Sequence, residues 1–417
     1  MKAIIAPNSD GRESDDEKRI SHVRARSIKS NLGEVMEDTL RASDTDQTYC
    51  FLNEGQLRER VGVFNDHFTD RVEGSKVLYA MKANSRTRVM EILTEEGIDG
   101  FDCASGNEVI DALNYVPPDK VYFNHPVKRR SSVEHAYQRG VRYFTAQSKS
   151  GITEVLGTAA QLHGDPPELA IRVGLRNEAA RIDLAPKFGC SPEEAQELLR
   201  RITISGARAS LSIHLGSQNL DPESFRGGIA LLGRLAQTHG GVHSLNLGGG
   251  FPANYAAGEN YDLLRYLHVI AESIDQLEEG VFASDSARKI VIEPGRSIIA
   301  EAVDLAIPIL EVRDKDGMPT IHVDDGIFTS FSDRAIHKWE YDMKIYTGDG
   351  RPVSKKTKVF QINGRTCDSG DVLGEKEFPA DLTEGDFIWV KNAGAYMDSQ
   401  SSHFNGFEPP HYISYNI

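Results

Sequence analysis

Between Lys76 and Pro294 the chain repeats one pattern eight times: a short β-type run, then a stretch with helical spacing. The runs are Val77–Ala80, Gly100–Cys103, Val121–Phe123, Tyr143–Thr145, Leu169–Val173, Ser210–His214, Ser244–Leu247 and Ile290–Glu293. Amphipathic or helix-rich stretches separate them, among them Arg86–Glu96, Gly106–Tyr115, Ser131–Arg139, Pro192–Arg201 and Phe225–His239. Strands that alternate with helices pair in parallel through helical crossovers. Eight units in about 220 residues suit a closed (β/α)8 TIM barrel. An open, doubly wound sheet is the rival architecture.

The polar residues favour the barrel. Lys82 follows the first run, Asp102 lies at the end of the second, and Asn124-His125 follow the third. Arg172 is in the fifth and His214 ends the sixth. Gly248-Gly249-Gly250 follow the seventh, and Glu293-Pro294-Gly295-Arg296 closes the eighth. Barrel enzymes build their active sites at the C-terminal strand ends, often with a phosphate site in the loops after strands seven and eight.

Past Ala302 the texture changes. Ile309–Val312, Thr320–Val323, Val359–Ile362 and Phe387–Val390 read as strands separated by Gly, Asp and Pro, and Thr48–Leu52 reads as a further strand of the same unit. The expected organisation is a polar extension over 1–45, a segment over 46–75 that contributes to the β-domain, a barrel over 76–305, and a β-domain over 306–417. Asn8 to about Arg19 reads as flexible and carries no assigned function.

A formal charge of −15, from 47 basic and 62 acidic residues, argues against nucleic acid or an acidic membrane as partner. No run of about 20 apolar residues exists, and the start of the chain is too briefly apolar for a signal peptide. Cys50, Cys103, Cys190 and Cys367 lie far apart, with no metal-ligand spacing, so no metal is expected and a reducing cytoplasm is the natural setting.

Several residues suit one cofactor, pyridoxal phosphate. Lys82 ends an apolar run, and apolar surroundings lower an amine's pKa and make it a usable nucleophile. Glu293 is placed to keep a pyridine nitrogen protonated, which makes the ring an electron sink. Arg296 suits bidentate phosphate binding. Consecutive glycines let backbone N–H groups approach an anion, although alone they read as a flexible turn. His214 is placed to stack on the ring, with Ser217 bonding phosphate; a lone strand-end histidine is otherwise a packed residue. Asp102 and Glu108 are candidates to fix a cofactor oxygen or His214. Ser105 reads equally as an N-cap. Arg172 either balances this acidic cluster or is structural. Asp324-Asp325-Gly326 and Cys367-Asp368-Ser369-Gly370-Asp371 read first as turns, and Gly394-Ala395-Tyr396 and Phe404-Asn405-Gly406-Phe407 as turn-and-core features.

Together these motifs resemble the fold type III pyridoxal phosphate decarboxylases, the ornithine, diaminopimelate and biosynthetic arginine decarboxylase family, from about Thr48 to Phe407. The resemblance implies an alanine-racemase-like barrel with a C-terminal β-domain, assembled as a homodimer with shared sites. It implies that Lys82 is the Schiff-base lysine, that His214 stacks on the ring and that Glu293 pairs with the pyridine nitrogen. Asp102, Arg172 and Gly295 would join the cofactor site. Ser217, Gly248, Gly249, Gly250, Arg296 and Tyr396 would hold the phosphate. Cys367 resembles the cysteine that returns a proton to Cα across the dimer interface. Asp325 and Asp368 match the two aspartates that bind a distal amine in the ornithine branch, and Phe404 would line the substrate pocket.

The implied reaction is decarboxylation of a basic diamino acid, ornithine- or lysine-like, of the kind that feeds polyamine biosynthesis. His214-Leu215-Gly216-Ser217-Gln218 is closer to the diaminopimelate pattern. That keeps diaminopimelate, or an intermediate of a specialised siderophore or antibiotic pathway, as the alternative. A racemase of this fold would present an arginine where Glu293 stands. A non-catalytic regulatory homologue would lack Lys82 or Cys367, and a small carrier protein would lack the β-domain.

Overall fold

The computed structural model describes residues 46–347 and 350–416; the expected extension over 1–45 lies outside the described residues. Eight parallel strands close into a barrel: Ser75–Ala80, Gly100–Cys103, Val121–Phe123, Tyr143–Ala146, Glu168–Arg172, Arg208–Ser212, Leu245–Asn246 and Ile290–Ile292. The ring closes where Ile290 pairs with Ser75 and Ile292 with Val77. Each strand matches an expected run within two or three residues. Helices cover the outside, and local chemistry sets their ends. Pro192–Ile204 starts on a reciprocal capping box between Ser191 and Glu194. Glu223–His239 stops at Gly240, whose φ of 92° continues no right-handed helix.

The second unit is a mixed eight-stranded sheet. Tyr49–Asn53 joins it, antiparallel to Val303–Lys315 and parallel to His411–Tyr415. Val303–Lys315 begins three residues before the expected domain boundary and runs across it. Three strands of this sheet, Met343–Tyr346, Val372–Pro379 and His411–Tyr415, carried no clear sequence signal. Val372–Pro379 shows why: it pairs with Thr357–Asn363 alone and carries Glu375, Lys376 and Glu377. Charged residues suit a sheet edge and hide its apolar alternation.

Ala180–Ile182 and Ser217–Asn219 form a small antiparallel pair beyond the barrel strands. The sheet unit returns to the barrel mouth through residues 396–400, where the Tyr396 N–H donates to the Ala83 carbonyl at 2.7 Å and the Ser399 hydroxyl donates to the Lys82 carbonyl at 2.6 Å. Among the described residues no helix is long and apolar enough to cross a membrane.

Candidate active site

A cavity of about 250 Å³ opens at the C-terminal end of the barrel strands. Lys82, His214, Ser217, Gly250, Glu293, Gly295, Arg296 and Tyr396 all line it. The barrel explains the convergence. Ala80 and Asp102 are register partners on neighbouring strands, and the single turn Met81–Ala83 carries Lys82 over the mouth.

Lys82 is not the neutral amine expected from an apolar pocket. Burial pushes its pKa down, but the carboxylate of Asp102, with Tyr396 and Glu293 nearby, more than reverses this and holds the amine as ammonium. Its Nζ donates to Asp102 Oδ2 at 2.6 Å. Asp102 therefore serves Lys82 rather than His214. Glu108 is local: its carboxylate accepts the Ala104 N–H at 2.6 Å, and Ser105 accepts the Glu108 N–H. The helix cap was the right reading of Ser105.

Glu293 follows the last barrel strand and is buried. Its Oε1 accepts two amide N–H bonds, from Asn124 Nδ2 and Asn246 Nδ2, each at 2.6 Å. Both amides have their orientation fixed from behind. Thr145 donates to Asn124 Oδ1 at 2.9 Å, and the Gly248 N–H donates to Asn246 Oδ1 at 2.9 Å. Each asparagine must therefore present its NH2 to the carboxylate. Burial and the Asp102 charge push Glu293 up to about 8, against the pull of Lys82, the Asn246 hydrogen bond and Arg172. A buried carboxylate of this kind calls for a cationic partner, such as a protonated ring nitrogen.

His214 Nδ1 accepts the Gly216 N–H at 3.2 Å, which leaves the proton on Nε2. Burial, then the positive charges of Arg172 and Lys82, hold its pKa well below the usual value. The site thus holds a neutral imidazole. Arg172 ends its strand with its guanidinium 5.1 Å from the Phe188 ring centroid, and burial depresses its pKa against Glu293 and Asp102.

The other end of the cavity is built for an anion. Arg296 is 4 % exposed; it donates to Asp333 Oδ2 at 2.9 Å and to the Ser217 hydroxyl at 3.3 Å, and lies 4.4 Å from the Tyr396 ring centroid. The glycine run has a second cause besides anion approach. A Cβ on Gly249 would stand 2.5 Å from the Glu293 carbonyl oxygen, and one on Gly250 would stand 2.4 Å from that of Gly216. Gly248 and Gly250 also have φ of 68° and 108°. A guanidinium, a hydroxyl and unobstructed glycine backbone form a donor set suited to phosphate, so the residues present fit pyridoxal phosphate at both ends.

Cys367, Asp368, Asp325 and Phe404 do not line this cavity. They gather elsewhere on the sheet unit. The Cys367 N–H donates to Asn405 Oδ1 at 3.0 Å, Phe404 packs on Phe328 at 4.7 Å, and Asp371 Oδ1 accepts the Ile327 N–H at 2.8 Å. Cys367 and Asp368 are exposed. Asp325, unlike Asp368, is enclosed. It is fully buried, its Oδ1 accepts from the Gly326 and Ser330 N–H groups at 2.7 and 3.0 Å and from Thr329, and burial raises its pKa. Its Oδ1 anchors the turn, while its Oδ2 is enclosed without a hydrogen-bond partner among the described residues.

Sequence reasoning placed Asn124 at a strand end without a role, and it missed the other partners of the site: Asn246 behind Glu293, Asp333 and Tyr255 on Arg296, and Gln400 and His337 at the rim. Asn246 lay beside the glycine run and was open to discovery. Asp333 reaches Arg296 from 37 residues away in a different unit, without a motif.

Residues 54–300 match the model of the pyridoxal binding domain of pyridoxal-dependent decarboxylases. The lysine/ornithine decarboxylase of Selenomonas ruminantium is 32% identical over 338 residues, 79% of this chain and 81% of the relative. The ornithine decarboxylase of Panagrellus redivivus is 30% identical over 355 residues, 80% and 78% of the two chains. The crystal structure of SrLDC in complex with PLP and cadaverine superposes with a TM-score of 0.80 at 25% identity, covering 94% of this chain and 95% of the other.

Proposed function

The chain belongs to the pyridoxal-dependent decarboxylase family, and from that premise we propose that it removes the α-carboxylate of a basic diamino acid, ornithine- or lysine-like, as CO2. The observation that carries the chemistry is a single cavity with the Lys82–Asp102 pair, the doubly held Glu293 and the Arg296 end on its walls. Pyridoxal phosphate supplies an aldehyde for an amine and a protonated ring that accepts the electron pair left by departing CO2.

The chain's own residues divide the remaining work. Lys82 is the amine placed for the cofactor's aldehyde end. It must lose a proton before it acts as nucleophile, and Asp102 at 2.6 Å is placed to take it. Glu293, fixed by two amides through one oxygen, keeps the other for the ring nitrogen. Neutral His214 offers a ring face without placing a second positive charge beside Lys82. Arg296, Ser217 and the glycine backbone hold the phosphate, with Tyr396 closing that end.

Cys367 and Asp368, exposed on one chain, act in the cavity of a second copy: Cys367 returns a proton to Cα and Asp368 reads the distal ammonium. Two relatives named for lysine and ornithine, and a neighbour solved with cadaverine, support a substrate with that ammonium. The test is a panel of L- and D-ornithine, lysine, arginine, 2,4-diaminobutyrate, diaminopimelate and the neutral analogue norleucine, with CO2 and amine measured. Turnover of ornithine or lysine, with norleucine slower by about a hundredfold on the scale of a lost charged hydrogen bond, supports the proposal. Turnover of diaminopimelate alone, or no CO2 from any member, rejects it.

A further inference from the structure

A second cavity, of about 380 Å³, lies at the opposite, N-terminal mouth of the barrel. Residues two apart on a strand share a face. Leu78, Tyr122, Tyr143, Ala170 and Val291 cluster inside the barrel, so Lys76, Glu168 and Lys289 stand one layer below them on the same inward side. Arg208 shares a face with Ser210, whose hydroxyl donates to Glu168 at 2.7 Å. Barrel layers are ordinarily filled by Val, Ile and Leu. This one holds three cations and one carboxylate.

The carboxylate is already taken. Lys289 Nζ pairs with Glu168 Oε2 at 2.5 Å, and Ser210 and Ser244 both donate to Oε1. Among the described residues no ion pair or side-chain hydrogen bond engages Lys76 or Arg208. Arg288 adds another cation to the same wall, and its Nε is enclosed without a partner. His243 lines the cavity as well. Three positive charges thus remain unneutralised at one mouth of a chain whose net charge is −15.

We propose that this mouth is a binding site for a compact chain of linked phosphates, presented either by a nucleoside triphosphate or as free tripolyphosphate. Two guanidinium forks and an ammonium match several phosphate oxygens on one small ligand, and arginine forks bind such oxygens in pairs. A single monoanion would leave most of the positive charge unmet. The cavity has the size of a small-molecule site. Lys76 stands at the start of the strand Ser75–Ala80 and Lys82 lies beyond its other end, so this cavity is separate from the phosphate-binding end at Arg296.

The experiment uses enzyme saturated with pyridoxal phosphate, so that the Arg296 end is filled, and titrates tripolyphosphate, ATP, inorganic phosphate and sulfate by calorimetry. Tripolyphosphate should bind one site per chain at least tenfold more tightly than inorganic phosphate or sulfate. Arg208→Gln and Lys76→Gln should each weaken it about tenfold while leaving decarboxylation and thermal midpoint unchanged. ATP equal to tripolyphosphate identifies a site that reads phosphates alone; ATP binding more tightly adds a nucleoside contact, and both support the proposal. No binding at millimolar tripolyphosphate, equal affinity for sulfate, or unchanged binding in both variants overturns it. Arg208 is exposed at the rim, so Arg208→Gln decides the matter even if a variant of an enclosed residue fails to fold.

Discussion

Glu293 is the residue on which most of the site's electrostatics converge. Its carboxyl is raised to about 8 in the cofactor-free protein, above the ordinary unfolded value. A raised acid binds its proton more tightly when folded, so its contribution to stability is fully present below the unfolded pKa and is lost as pH rises towards 8. Glu293→Gln should therefore flatten the decline in apo-protein stability between pH 5 and pH 8, by roughly a few kcal/mol at most. Chemical denaturation across that range measures it, and an unchanged slope would contradict the burial argument. In the holoenzyme the same change should cost far more in kcat than in cofactor retention, since the amide cannot hold the ring proton. Asn246→Ala removes one charge-assisted bond to Oε1 and should raise the Glu293 pKa further. About tenfold in kcat, with a shifted pH–rate profile, is expected on the scale of such a bond. Lys82→Ala should abolish cofactor attachment. Peptide mapping after borohydride reduction of the wild type checks this, and a label on another lysine would overturn the assignment.

At the scale of elements, the short helix Ser332–His337 ties the sheet unit to the phosphate end of the barrel. Its Asp333 is 1 % exposed and holds both Arg296 and the Trp339 indole. Removing one partner of a buried pair leaves an uncompensated charge, typically costing about 3–5 kcal/mol. Asp333→Ala should accordingly destabilise the apo-protein strongly. A bound phosphate group would neutralise Arg296 in its place, so the holoenzyme should lose much less. Thermal unfolding with and without pyridoxal phosphate compares the two, and equal losses would argue against Arg296 as the phosphate anchor. The residues missed from sequence at this scale share a cause. Asn124 and Asn246 look like ordinary strand-end asparagines until a third strand, Ile290–Ile292, places Glu293 between them.

At the scale of the whole molecule, the cavity gathers Lys82, His214, Glu293 and Arg296, and Cys367 and Asp368 are outside it on an exposed loop. The proposal that Cys367 and Asp368 act in a second copy's cavity predicts a homodimer with two composite sites. Mixing inactive Lys82→Ala and Cys367→Ala subunits should restore about a quarter of wild-type activity, because half the randomly exchanged dimers are hybrids with one intact site. Activity after verified subunit exchange measures it; none would rule out shared sites.

The barrel was legible in the chain, because parallel strands buried on both faces and helical crossovers leave a periodic trace. The residues that meet at the C-terminal mouth were legible too, because strand ends are local features and the barrel brings them together. Their charge states depend on neighbours that the fold brings in. Lys82 is an ammonium rather than a neutral amine because Asp102, twenty positions away, sits on the adjoining strand. Asp325 holds its own turn through Oδ1 because the loop folds around its carboxylate. Pairings of this kind depend on distance in space, which a one-dimensional pattern does not carry. The edge strand Val372–Pro379 escaped for the complementary reason: its charges answer to solvent, and its place in the sheet is set by a single neighbour.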